Sequence, residues 1–426
     1  MSRPEQDLEL IRAPLLADAR AILAPGVLLR RGSRILAAGT PEGVGAVAGA
    51  RVRTLPAHAL LPALGNAHAH LDLTTAAAVP FTGDFVGWLG GVRAARGAMD
   101  AAAIHASVAA GVAASLAGGV ALVGDITGRE ALGPARMELE RQRMGAVLFR
   151  EIFGLGARGA AGVAAVAEEQ AAAAGGEGRP AAVRHGLEPH APYSAGEAVH
   201  AAALRSGLPV TTHLAEFPEE VELIRGQGGR LLRMLEQLGV VDDSVRWPGL
   251  HPVEWFCRLA SGHAGPALAV HLECLADGDA ARLAAAKVVA VTCPRASAWF
   301  HRPGAPWRRL RDAGVLVALG TDGAACLDTP GRISTLDEMR TLAARDGATL
   351  EELLPLATTC VARALGFPEA PFTLAPGVTA GILAVPLADP AAAVRSLLGG
   401  SSAPLWIEGP DVPAALAASE GPSRWR

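Results

Sequence analysis

From about residue 60 to residue 322 the chain alternates short apolar runs with longer Ala-, Glu- and Arg-rich segments of helical spacing, and this alternation restricts the fold more than any other feature. Eight such runs can be counted, at 60–70, 120–125, 146–151, 183–188, 209–213, 267–271, 288–292 and 315–322. Repeated strand-then-helix units predict a parallel sheet, and eight of them close a (β/α)₈ TIM barrel. Chemistry in that fold gathers where strands end, and His70, His213, His271 and Asp322 all end runs. Short strand-like runs with Gly and Pro between them lie on either side of the barrel, in residues 8–58 and again after 366. They predict a small β-sandwich-like domain formed by both chain termini. The expected division is therefore 1–58, 59–366 and 367–426, with the barrel in the middle.

Within the first run, Asn66-Ala67-His68-Ala69-His70 alternates histidine with alanine. Side chains two apart on a strand face the same way, so His68 and His70 can share one ion, although a hydrogen-bonded core pair would have the same spacing. His213 is followed three residues later by Glu216, placing a carboxylate just beyond a strand-end imidazole. Asp322 stands after Leu319-Gly320-Thr321, where an aspartate also suits a helix cap, and His271 suits a core position. Joint placement is what makes these residues specific. Three neutral imidazoles and a carboxylate arriving from runs one, five and eight suit one divalent metal ion, Zn²⁺ or Fe²⁺, with a position left for water.

Other features bound the function. The net charge of −4, from 38 basic and 42 acidic residues without a basic stripe, argues against nucleic acid as a partner. No stretch reaches the unbroken apolar length of a membrane span, and the first seven residues are polar, which predicts a cytoplasmic protein with no membrane partner. The five cysteines are odd in number and contain no Cys-x-x-Cys, so they read as buried apolar residues. Two connections exceed what a barrel needs. Residues 72–105 contain Phe81, Phe85 and Trp88, and 214–266 contain Trp247, Trp255 and Phe256; each is either a substrate wall or a helical layer packed on the barrel.

With Pro189-His190-Ala191-Pro192-Tyr193-Ser194, Val270-His271, Cys293-Pro294-Arg295 and Gly320-Thr321-Asp322 added, residues 66–366 resemble the amidohydrolase superfamily in its mononuclear deaminase and chlorohydrolase branch. The resemblance implies that His68, His70, His213 and Asp322 hold the metal, that Glu216 shuttles protons, and that His271 contacts the hydrolytic water or the substrate. Binuclear relatives often bridge two metals with a carboxylated lysine on the fourth strand. The only lysine here, Lys287, follows the sixth run, which favours a one-metal centre, with Glu151 structural or substrate-contacting.

Phe85-x-x-Trp88, Gly124-Asp125-Ile126-Thr127 and Phe149-Arg150-Glu151-Ile152 further resemble the aminodeoxyfutalosine deaminase group, which acts on an adenine in a menaquinone-precursor nucleoside. That likeness implies hydrolytic deamination of an adenine-type base, with Trp88, Arg150, His190 and Tyr193 as candidate substrate contacts and a homodimer as the candidate assembly. The alternatives are a methylthioadenosine, adenosine or cytosine deaminase, a triazine-type chlorohydrolase, or a binding protein that has lost catalysis. Ala296-Ser297, Gly323 and Ala380-Gly381 depart from the pattern usual in these relatives.

Overall fold

Each apolar run becomes a strand because it is apolar on both faces and both faces are covered. The computed structural model describes residues 8–175, 181–329 and 331–419; the polar opening heptapeptide and the end of the Ala/Gly-rich stretch at 156–178 lie outside them. Leu64–His70, Val120–Thr127, Gly145–Ile152, Val183–Pro189, Val210–Leu214, Ala267–His271 and Val289–Thr292 lie side by side in chain order, all parallel. The eighth run forms two pieces. Val317–Leu319 pairs with the seventh strand, whereas Asp322–Gly323 pairs with the first, Asp322 opposite Ala69. The resulting nine-stranded parallel sheet is curled in the manner of a TIM-like barrel.

Local chemistry makes this seam. A Cβ on Gly320 would sit 2.8 Å from the His68 Cβ and 3.0 Å from the Cys293 Sγ, so only glycine lets the eighth strand approach so closely. The next residue, Thr321, donates its amide to the His68 carbonyl at 2.9 Å, and Asn66 donates from its side chain to the Thr321 hydroxyl at 2.8 Å. Asn66 thus clips the last strand to the first.

The run at 60–70 is not one strand, as its unbroken apolar character suggested. His58–Pro62 belongs to another sheet, pairing with Ile382–Pro386 and with Leu15–Ala17, and the barrel strand begins at Leu64. Pro62 has no amide proton with which to extend a ladder, and the chain changes sheets beside it. Two five-stranded sheets draw on both ends of the chain. One contains Leu8–Ala13, Gly26–Arg31, Arg34–Gly39, Arg51–Thr54 and Gly377–Val378; the other joins His58–Pro62 and Leu15–Ala17 to Ile22–Leu23, Ile382–Pro386 and Leu405–Glu408. They share an apolar cluster that includes Ile11, Leu16, Leu28, Ile35, Leu60 and Ile382.

The two long connections differ. Residues 72–105 supply the helix Phe85–Gly97, which forms one side of the central cavity, and lead into Ala101–Ala117. Residues 214–266 form Pro218–Ile224, Arg230–Gln237 and Pro252–Ala260, with Trp255 and Phe256 buried against His200 on the outer layer. Among the described residues no single helix is long and apolar enough to cross a membrane; Phe85–Gly97 and Ala101–Ala117 pass that test only together, bent by 112°.

Candidate metal centre and catalytic cavity

The strand ends bring together the residues that the sequence scatters. His68 and His70 have ring centroids 5.0 Å apart, and His213 lies 5.0 Å from His68. Asp322 Oδ1 lies 3.6 Å from His68 Nε2 and 3.3 Å from His70 Nε2. Candidate ligand atoms fall into two trios that share His68, namely His68-His70-Asp322 and His68-His213-His271, each within 4.8 Å. All five side chains therefore surround one small volume.

The donor set fits a divalent ion. His68 is fully buried, and neither ring nitrogen has a hydrogen-bond partner, which is costly for a polar group unless its lone pair is used. Burial also takes its pKa down to about 4, so the ring is neutral at neutral pH, as a ligand must be. His213 Nδ1 donates to the His190 carbonyl at 3.0 Å; that fixes the tautomer and leaves Nε2 as the free donor atom. Burial pulls His213 well below its ordinary range as well. For Asp322, burial works against ionisation, but the neighbouring imidazoles of His68 and His70 outweigh it and hold the carboxyl well below its usual range. Burial likewise opposes a charged His70, yet Asp322 more than reverses it and raises that pKa. Three nitrogens and one oxygen around a buried point suit zinc or ferrous iron.

Backbone strain is concentrated here. Ala215, His271, Leu272 and Asp322 have φ of 51°, 75°, 54° and 62°, left-handed values unusual without glycine. They occur where the fifth, sixth and eighth strands end, where the chain must turn sharply while its side chains still face the barrel mouth. Glu220 steadies one such turn by accepting the amides of Ala215 and Glu216, each at 2.9 Å. This leaves the Glu216 side chain, 5% exposed, with Oε2 4.0 Å from His271 Nε2.

A cavity of about 430 Å³ opens over this cluster, with His70, His213, Glu216, His271 and Asp322 in its lining. Trp88, His190 and Tyr193 line it too, as the sequence predicts. Trp88 is fixed by its indole N–H to the Val79 carbonyl at 3.0 Å, and His190 Nδ1 lies 2.6 Å from the Ser194 hydroxyl. Burial drives His190 down to about 3 and raises the Tyr193 phenol well above its ordinary value, so both are neutral at neutral pH.

Arg150 lies elsewhere. Its guanidinium donates to the Ala165 carbonyl at 3.1 Å and pairs with Glu168 at 2.9 Å, both on the outer helix Gly159–Ala174, so it does not meet substrate in the cavity. The next residue, Glu151, has the opposite facing and lines the cavity, paired with Arg96. Lys287 is exposed just ahead of the seventh strand, far in sequence from the fourth-strand position of a bridging lysine.

Arg96 and Arg302 were not singled out from sequence. Arg96 lines the cavity and pairs with Asp72 at 2.8 Å, and Arg302 reaches Glu216 at 3.2 Å. A signal for Arg96 did exist: residues 85, 88, 89, 92 and 96 follow the spacing of one helix face, and all line the cavity. The Gly124-Asp125-Ile126-Thr127 motif also gains a role, since Asp125 accepts the Leu71 amide at 3.0 Å and fixes the chain just past His70.

A nitrogen-rich cluster able to hold a metal at one end of a curled parallel sheet, with carboxylates beside it, is the type of site found in metal hydrolases. Residues 59–409 match the model of the Amidohydrolase family, and the chain belongs to that family. Over 157 residues it is 35% identical to an aminodeoxyfutalosine deaminase of Deinococcus radiodurans, covering 34% of this chain and 37% of that protein. Over 193 residues it is 31% identical to a 5-methylthioadenosine/S-adenosylhomocysteine deaminase of Pyrococcus furiosus, covering 42% of this chain and 40% of the relative. The matched stretch thus spans well under half the length of these two curated relatives. Similar solved structures include Helicobacter pylori aminofutalosine deaminase in complex with methylthio-coformycin, with TM-score 0.76, 21% identity and coverage of 94% and 98% of the two chains. An adenosine deaminase from Xanthomonas campestris with bound zinc has TM-score 0.72 and 21% identity, covering 98% and 97%. At these identities the structural likeness speaks for the fold.

Proposed function

We propose that this chain is a metal-dependent hydrolytic deaminase of an adenine-type base in a nucleoside, with aminodeoxyfutalosine as the leading candidate substrate. The observation that carries this reading is the gathering of His68, His70, His213 and Asp322 around one point, with Glu216 and His271 facing the same cavity. Deaminases of adenine nucleosides among the relatives support the choice of substrate class.

His68, His70, His213 and Asp322 would hold a divalent ion, which when bound would supply a Lewis acid that makes water acidic near neutral pH. Asp322 takes the proton of the attacking water, and His271 hydrogen-bonds its oxygen as charge develops. Glu216 donates a proton to the ring nitrogen beside the reacting carbon and takes up the hydroxyl proton as the carbonyl forms, while Asp322 passes the water proton to the amine, which leaves as ammonia. Water and the aminated ring thus become the carbonyl product and ammonia. Trp88, Tyr193 and His190 enclose the base and its substituent, and Glu151 and Arg96 supply the polar corner of the cavity.

The same reading takes the two terminal sheets as a small separate domain, approximately 1–58 with 367–426, outside a closed (β/α)₈ barrel at 59–366. It also carries a cytoplasmic homodimer, for which sedimentation of purified protein is the test. The activity is tested by incubating protein loaded with zinc or with ferrous iron with adenine nucleosides, aminodeoxyfutalosine included. Ammonia release and the absorbance change from adenine to hypoxanthine are the expected result, lost in Glu216→Gln. Turnover by Glu216→Gln at the parent's rate would overturn the proton-transfer assignment.

A further inference from the structure

Arg302 belongs to none of the motifs above, yet it touches the carboxylate on which the proposed chemistry depends. It follows the helix Pro294–Trp299, and the chain folds back to it through His301, whose φ of 56° is left-handed. The Arg302 amide donates to the Ser297 carbonyl at 2.8 Å and closes this turn. Its side chain is only 14% exposed. One guanidinium nitrogen donates to Glu216 twice, to the backbone carbonyl and to the carboxylate Oε1, each at 3.2 Å. The same nitrogen lies 3.6 Å from Glu273 Oε2, a buried oxygen with no hydrogen-bond partner. The other carboxylate oxygen of Glu273 is taken by the Ser297 hydroxyl at 2.5 Å, so Ser297, one of the departures from the usual pattern, helps to build this arrangement.

Aromatic rings crowd the guanidinium as well. Its central carbon lies 4.1 Å from the centroid of Phe85 and 4.8 Å from that of Phe300. Phe85 opens the helix whose inner face walls the cavity, and it lines the cavity itself. The two ring centroids are only 4.9 Å apart, so both rings crowd the guanidinium from one side and limit its movement, and an aromatic contact combined with a directed N–H bond is what distinguishes arginine from lysine.

We propose that Arg302 is a positioning residue for Glu216. It holds one carboxylate oxygen so that the other faces His271 and the cavity, and its stacking ties that carboxylate to the cavity-wall helix through Phe85. This inference rests on Glu216 as the proton carrier, since a carboxylate must be held within a fraction of an ångström to serve in each turnover. Glu273, near the same guanidinium nitrogen, shares in balancing its charge, so that the arginine does not depend on Glu216 alone.

The test compares Arg302→Met, Arg302→Lys, Phe85→Leu and Glu216→Gln in zinc-loaded protein on the best adenine nucleoside. Arg302→Met should lower kcat about 10- to 100-fold, leaving KM within about threefold and zinc content at the parent's level. Arg302→Lys, which keeps a donor for Glu216, should recover part of that loss. Adding Phe85→Leu to Arg302→Met should change kcat less than it does in the parent, because the two act through one contact. A kcat for Arg302→Met within about twofold of the parent, while Glu216→Gln is inactive, overturns the inference but leaves the proton-carrier reading standing. Full activity of Glu216→Gln overturns both. Should Arg302→Met fail to fold, Arg302→Ala, which also removes the donor, decides: a crystal structure with the Glu216 carboxylate turned away from His271 supports the inference, and an undisturbed carboxylate with parental kcat defeats it.

Discussion

The barrel mouth and the paired terminal sheets are built on opposite terms. At the mouth, the buried His68 has no hydrogen-bond partner on either ring nitrogen, carboxylates crowd together, and non-glycine residues adopt left-handed backbone. In the paired sheets the shared interior is aliphatic, with Ile11, Leu28 and Leu60 fully buried. One region holds reactive groups in place at a cost in stability, and the other contributes burial without chemistry. Substitutions in the two regions should therefore separate activity from stability.

The largest effect is expected at the mouth. Asp322→Asn or His68→Ala should reduce kcat/KM about a thousandfold or more and abolish stoichiometric zinc binding, measured by metal analysis after dialysis. Because these changes relieve crowding of buried polar groups, the metal-free variants should melt no lower than the metal-free parent; a large fall would break the contrast. In the sheets, Leu60→Ala should cost about 2–5 kcal/mol in denaturant unfolding, with kcat/KM and metal content unchanged.

A pH series sharpens the comparison. Burial places His68 near 4 and His190 near 3 in the folded protein, against 6.5 for an ordinary histidine. Between those values the unfolded chain binds protons that the folded one does not, so each contribution is intact above pH 6.5 and shrinks as pH falls toward the folded values. Metal-free protein should lose melting temperature over that interval, and His190→Asn should flatten the loss, whereas Leu60→Ala should shift the whole curve without changing its shape.

Smaller effects separate the cavity wall from the outer face of the third strand, Gly145–Ile152. Trp88→Ala should raise KM about tenfold by removing cavity wall, measured by steady-state kinetics. Arg150→Met should leave kcat/KM within about twofold and lower stability by about 1 kcal/mol at most, since its closest ion-pair partner, Glu168, is on the surface.

That third strand also shows how far the sequence could be read. The candidate metal ligands were legible because they combine rare residue types with fixed positions at strand ends, and His68, His70, His213 and Asp322 do converge. Along Gly145–Ile152, however, both faces are covered, so no polar alternation marks which side meets the cavity. Alternation does say that Arg150 and Glu151 face opposite ways; which of them faces inward is decided by packing of the helix Gly159–Ala174. The joint between His58–Pro62 and Leu64–His70 was hidden for the same reason, since apolar residues continue through it into a different sheet. Arg302 was hidden because its partners, Glu216 and Phe85, are remote in sequence and no motif links them.

The seam at Gly320 and Thr321 bears on how the molecule is made. Histidines from the first and fifth strands leave the ribosome early, but Asp322 and the residues that clip the last strand to Asn66 follow much later. A nascent chain halted before Gly320 would present imidazoles with no carboxylate to complete the set. An ion captured after release would therefore fasten the oldest and youngest strands of the ring to each other, and metal supply would act on the last step of assembly as well as on turnover.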